Sequence, residues 1–273
     1  MTVATHSHRR YRIQHPTIRD VMRDMRIPAT DPGPGDRVPD FDLPTTDSGR
    51  FASEQFADAS RPVLLVFGSL TCPVTESAGN GLHELHARYG RQVRFVMVNV
   101  REAHPGEATT QPETAKGKQR HASGLESHHG FPFEVAVDDI DGSLHRAFGT
   151  RPSSAYVIDP TGTIVFRAHW SNITDALDEA LAAVVAGHQP PRATAGHTLR
   201  SMAKMTGHAD VAFANAGSGA MRDTWRAAPP FAAMIMLSRL FRFLPRDRRG
   251  VPTLVTMAAM LALFVVVGLL ALT

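Results

Sequence analysis

Apolar and polar positions along residues 63–185 alternate in blocks that predict strands and helices in turn. Residues 63–67 form a short unbroken apolar run, the pattern of a strand buried on both faces. Residues 75–89 carry Leu82, Leu85 and Tyr89 at helical spacing, and the β-branched run 93–100 predicts a second buried strand. A polar helix is expected over 113–129, a strand over 133–137, a short helix over 143–148 and a strand over 155–158. Asp159-Pro160-Thr161-Gly162 has turn residues where a tight hairpin needs them, and 163–168 returns as a strand. The apolar stripe of 174–185 is that of a packed helix. Strands alternating with helices and ending in a hairpin plus helix predict an α/β sandwich with a mixed sheet.

The pattern changes toward the C-terminus. Residues 251–272 are uncharged and apolar, long enough to cross a bilayer, since about 20 residues suffice. Arg239, Arg242, Arg246, Arg248 and Arg249 precede this stretch with Asp247 among them, so the positive-inside rule keeps the catalytic domain in the cytoplasm and makes the span a C-terminal, single-pass anchor. Residues 231–249 are expected as an amphipathic basic segment beside the membrane, with Arg239 and Arg242 snorkelling to lipid phosphates. The span 188–230 is rich in Ala, Gly, Thr and Pro with weak periodicity, and is expected to be a linker holding at most one short helix. The expected division is a basic N-terminal extension over 1–33, a core domain over 34–187, the linker, the juxtamembrane segment and an anchor over 250–273.

Composition narrows the function. The chain of 273 residues is 43% hydrophobic and 20% charged with a formal net charge of +3, and its arginines gather near its ends instead of along one domain face. Nucleic acid is therefore not an expected partner, whereas a lipid membrane is. No apolar run follows the basic N-terminus, so no signal peptide is expected. A lone cysteine, Cys72, forbids any intramolecular disulfide, and Thr75 stands where a Cys-x-x-Cys exchanger would carry its second thiol. His121, His128 and His129 lack the paired spacing of a zinc motif, so no metal is expected.

Candidate chemistry centres on Cys72 in Phe67-Gly68-Ser69-Leu70-Thr71-Cys72-Pro73, between the first buried strand and a helix that Pro73 is suited to open. The carboxyl end of a strand is where open α/β sheets place their sites. A helix N-terminus favours thiolate over thiol, so the thiol is expected to titrate below its free value.

Residues 34–51, including Pro34-Gly35-Asp36-Arg37-Val38-Pro39-Asp40-Phe41, resemble the opening of the thioredoxin-like redoxin and peroxiredoxin superfamily. Gly68 to Pro73 is similar to the active-site loop of iodothyronine deiodinases, where selenocysteine usually takes the place of Cys72. Glu102-Ala103-His104-Pro105 and Trp170-Ser171-Asn172 resemble two further elements of that family in the same order. The resemblance implies a thioredoxin-like fold with Cys72 as nucleophile and Glu102 and His104 as proton-handling or substrate-binding groups. It also implies supporting roles for Ser69, Thr71, Trp170 and Asn172. Sulfur replaces selenium, and the anchor is C-terminal where deiodinases carry an N-terminal one. No bound cofactor is implied. Cys72 has no resolving partner in the chain, so oxidation must be reversed by an outside thiol of the thioredoxin or glutathione kind, or by a second protomer in a homodimer. Three readings stay open: reductive dehalogenation of an aromatic, one-cysteine peroxidase chemistry with Arg151 as candidate cation, and a membrane-tethered redox sensor.

Overall fold

The computed structural model describes residues 11–26, 28, 30–56, 60–191 and 197–270. Arg9 and Arg10 of the N-terminal basic cluster, and residues 271–273 of the expected anchor, lie outside the described residues.

A five-stranded sheet organises the core domain, in the order β5 (Glu134–Val137), β4 (Arg94–Asn99), β3 (Val63–Gly68), β6 (Ala155–Ile158), β7 (Ile164–Ala168). The first three strands are parallel, and β6 and β7 run antiparallel to their neighbours. Alternation in β3 shows how the sequence builds two layers. Leu64 and Val66 face a cluster with α2 (Pro73–Tyr89), α3 (Ala115–His129) and α5 (Thr174–Val185). Val63, Leu65 and Phe67 face a second cluster, closed by the hairpin β1 (Asp42–Pro44) and β2 (Arg50–Ala52) and by α4 (Ser143–Ala147). This is the thioredoxin-like arrangement, with two strand–helix units and a terminal hairpin plus helix around one mixed sheet. The expected strands and helices of 63–185 are all present, shifted by at most two residues at their ends.

The N-terminal extension docks on this core. Its helix α1 (Ile18–Asp24) starts at Thr17 in a reciprocal capping box with Asp20, and Tyr11 is buried with its hydroxyl 2.8 Å from His145 Nδ1.

The expected linker is corrected. Residues 188–230 contain α6 (Thr198–Thr206), α7 (Ala209–Ala216) and α8 (Ser218–Ala227), and α9 (Pro229–Ser238) begins within them. Small residues make a weak apolar stripe, yet Ala209, Ala212, Ala216 and Ala220 are buried alongside Met205 and Phe213. The juxtamembrane expectation is also corrected, because α9 buries Ala232, Met234 and Ile235 against the protein in place of lying free. Arg239 and Arg242 pair with Asp210, while Leu240 and Phe243 remain exposed.

Helix α10 (Gly250–Leu270) extends outward, and the stretch Arg246–Val267 has a mean hydropathy of 2.3 with 11% of it buried. It is long and apolar enough to cross a membrane. Its base is seated tightly. A Cβ at Gly250 would overlap the carbonyl of Ala203 on α6, so only glycine permits that approach.

Candidate active site

The parallel register of β3 and β4, from Val63↔Arg94 to Gly68↔Asn99, makes the loops after both strands leave the sheet at the same end. The first loop enters α2 at Cys72, the N-cap residue, with extended backbone and Pro73 next. The Cys72 N–H donates to the Ser69 carbonyl at 3.3 Å, and its carbonyl accepts the Glu76 N–H at 2.9 Å. The second loop carries Arg101, Glu102, Ala103 and His104.

Cys72 is 3% exposed. Burial pushes its thiol up from the ordinary range, against donation from the Thr75 N–H and hydroxyl and the Val74 N–H; the Glu102 charge adds to the rise. The expectation of a lowered thiol is therefore reversed. The helix-terminal donors are in place, but desolvation of the anion outweighs them. At rest the group is a thiol.

Glu102 is wholly buried and does not touch His104. It accepts from the Thr71 N–H at 3.0 Å and the Thr71 hydroxyl at 2.7 Å, and its other oxygen lies 2.9 Å from His121 Nδ1. Gln111 brackets its backbone, accepting from the Glu102 N–H at 3.0 Å and donating to the Glu102 carbonyl at 2.7 Å. Glu102 thus fixes the Cys72 loop through Thr71. The Thr71 hydroxyl also accepts the His104 N–H at 3.2 Å, and the Ser69 hydroxyl accepts the Ala103 N–H at 3.2 Å. These two hydroxyls stitch the two loops together.

His104 lies against Phe213 and Phe231, with ring centroids 5.0 and 6.1 Å away. Burial among these rings, helped by the Arg101 charge, pulls it down to about 4, so it is neutral at neutral pH. Trp170 stacks on His169 at 4.4 Å, donates to the Thr198 hydroxyl at 3.3 Å and packs in one cluster with Cys72 and Met205. Asn172 is a tie between helices, donating to the Ser77 hydroxyl of α2 and the Ser201 carbonyl of α6. Arg151 does not line the site. Its guanidinium is held by Asp31 at 2.6 and 2.8 Å. The arginine on the cavity wall is Arg101, paired with Asp24 of α1 at 2.9 Å.

Cys72, Arg101, His104 and Trp170 share a cavity of about 250 Å³. Its remaining walls are mainly apolar, and much of them comes from outside the core domain. Val21 and Met25 belong to or follow α1, Met202 and Met205 to α6, and Phe231 to α9. Thr75, Gln111, His121 and Arg101 went unassigned from sequence. Arg101 alone carried a signal, as the neighbour of Glu102 in the segment already singled out.

Residues 34–167 match the AhpC/TSA family. The thyroxine 5-deiodinases of Rattus norvegicus and Homo sapiens are each 29% identical over 120 residues, which is 41% of this chain and 39% of theirs. The match thus spans about two fifths of those relatives. A peroxidoxin structure from Mycobacterium tuberculosis superposes with a TM-score of 0.42 at 17% identity, covering 57% of this chain and 97% of that one.

Proposed function

We propose, starting from a redoxin-like chain whose residues 34–167 match the AhpC/TSA family, that it is a thiol-dependent oxidoreductase reducing an apolar halogenated aromatic at Cys72. The cavity carries this reading. Walls of methionine, tryptophan and phenylalanine around a buried thiol suit an aromatic ring, and about 250 Å³ is well beyond what hydrogen peroxide needs. The 29% identity to thyroxine 5-deiodinases supports the same substrate class.

In the reaction the sulfur of Cys72 attacks the halogen, forming S–X as the C–X bond breaks. The bonding pair stays on the ring carbon, which takes up the proton the thiol has lost. Neutral His104, on the same cavity wall, is in the form that accepts that proton and delivers it to carbon. Burial disfavours both the thiolate and the imidazolium, so proton transfer accompanies attack and does not precede it. One external thiol then displaces halide as HX to give a mixed disulfide, and a second releases Cys72 and the external disulfide. Ser69, Thr71 and Glu102 position the loops, while Trp170 and Asn172 support the pocket wall. In this reading helix α10 holds the domain at a membrane, and the arginines before it favour the cytoplasmic side.

A second reading has its own support. Arg101 lines the cavity, and a cation near the sulfur would assist attack on the O–O bond of an organic hydroperoxide, leaving a sulfenic acid and an alcohol. Turnover by the detergent-solubilised full chain with excess dithiol separates the two. The proposal expects an iodinated phenol to be deiodinated at least about tenfold faster, in kcat/KM, than hydrogen peroxide or an organic hydroperoxide is reduced. Reduction of hydroperoxide with no deiodination would install the second reading in its place.

A further inference from the structure

A second polar cavity, of about 400 Å³, is lined on α2 by Glu76, Gly79, Asn80 and His83 and shares no lining residue with the cavity just described. Glu76, His83, His128, His129, His208 and Arg246 reach its wall. The donor atoms of Glu76, His128 and His129 all lie within 4.8 Å of one another. His128 Nε2 is 2.7 Å and His129 Nε2 is 3.8 Å from Glu76 Oε2. An independent observation points the same way. His208 is 7% exposed, and its Nδ1 is buried without a hydrogen-bond partner, while its Nε2 meets Asp247 Oδ1 at 2.8 Å. A buried imidazole nitrogen left unpaired is costly unless something fills the space beside it.

We propose that Glu76, His128 and His129 bind a divalent transition cation of the zinc class. Two imidazoles and one carboxylate form a donor set that zinc takes readily, with a fourth position open to water or a further ligand. A tetrahedral ion with bonds of about 2.1 Å separates its donors by about 3.4 Å, and the observed 2.7 and 3.8 Å lie on either side of that value. His208 lines the same cavity, held by Asp247 through its other ring nitrogen, and its unpaired Nδ1 marks a polar space beside the three donors. His83 holds the backbone of the same corner, with its Nε2 2.9 Å from the His129 carbonyl.

The ligands come from α2 and α3. The ion therefore clamps the helix capped by Cys72 to its neighbour α3. Sequence spacing hid the site because only His128 and His129 are neighbours in the chain; Glu76 arrives by packing.

The test uses the untagged full chain in detergent, stripped by chelator and titrated with Zn²⁺ or Co²⁺. One ion per chain is expected, and Co²⁺ should give the intense visible absorption of a tetrahedral site. Glu76→Gln, His128→Ala and His129→Ala should each weaken Zn²⁺ binding by more than about a hundredfold, exceeding the loss usual for an outer partner. Cys72→Ser should bind as the parent does. Failure of the parent chain to bind Zn²⁺ or to develop the Co²⁺ absorption would overturn the proposal without reliance on any variant. So would loss of binding in Cys72→Ser, which would move the metal to the thiol.

Discussion

Replacing Cys72 with serine should remove thiol-driven turnover of iodinated phenol and organic hydroperoxide alike, a fall of at least about a thousandfold. Both chemistries require a sulfur that accepts the halogen or oxygen and is then regenerated by thiol. A serine hydroxyl is neither a soft nucleophile nor reducible from any product it could form. The fold should tolerate the change. Serine is slightly smaller, and the Thr75 hydroxyl and the Val74 and Thr75 N–H groups that face the sulfur would face an oxygen instead. A stability change within about 1 kcal/mol, measured by denaturant titration of the two proteins, is expected. Retained turnover would remove Cys72 from the chemistry altogether.

His104→Ala should lower deiodination by about a hundredfold, or about 2.7 kcal/mol of barrier, the usual worth of a positioned proton carrier. The imidazole packs against the rings of Phe213 and Phe231 on the cavity wall, so alanine also leaves a hole there. His104→Phe separates the two effects, since it restores an aromatic ring but cannot move a proton. It should lose as much rate as alanine. Alkylation of Cys72 by a simple reagent reports whether the thiol itself has changed. Its midpoint should stay above that of a free thiol, about 8.5, in parent and variant alike, because burial sets it. Deiodination by His104→Phe at the parent rate would exclude the proton role.

Much of this was legible in the chain, and what was not has a common physical cause. The strands at Val63–Gly68, Arg94–Asn99 and Ala155–Ile158 are buried on both faces and announce themselves as apolar runs. Ser69, Thr71, Cys72, Glu102 and His104 are legible as candidates because they stand in two contiguous motifs, on loops at one sheet end. Their contacts are not. Glu102 and His104 stand two residues apart in the chain, yet the backbone turns Glu102 toward Thr71 and His121. The roof over Cys72 was invisible for another reason. Its residues, such as Met25, Met202, Met205, Ala220 and Phe231, are scattered over separate short segments that meet only in the fold, so no single stripe marks them. Arg151 shows a third kind of miss, since its partner Asp31 lies 120 residues away in the chain. The thiol's direction of shift depends on that roof as well, because it is burial that outweighs the helix terminus.

The central claim is that Cys72 itself takes the halogen from an aromatic ring. Single-turnover mixing of the detergent-solubilised full chain with excess iodinated phenol, in the absence of any reducing thiol, tests it most directly. The account predicts about one equivalent of deiodinated phenol per chain, with loss of the free Cys72 thiol at the same rate and to the same extent. Deiodinated product forming while the thiol stays titratable, or no product from a chain whose thiol is intact, would contradict it.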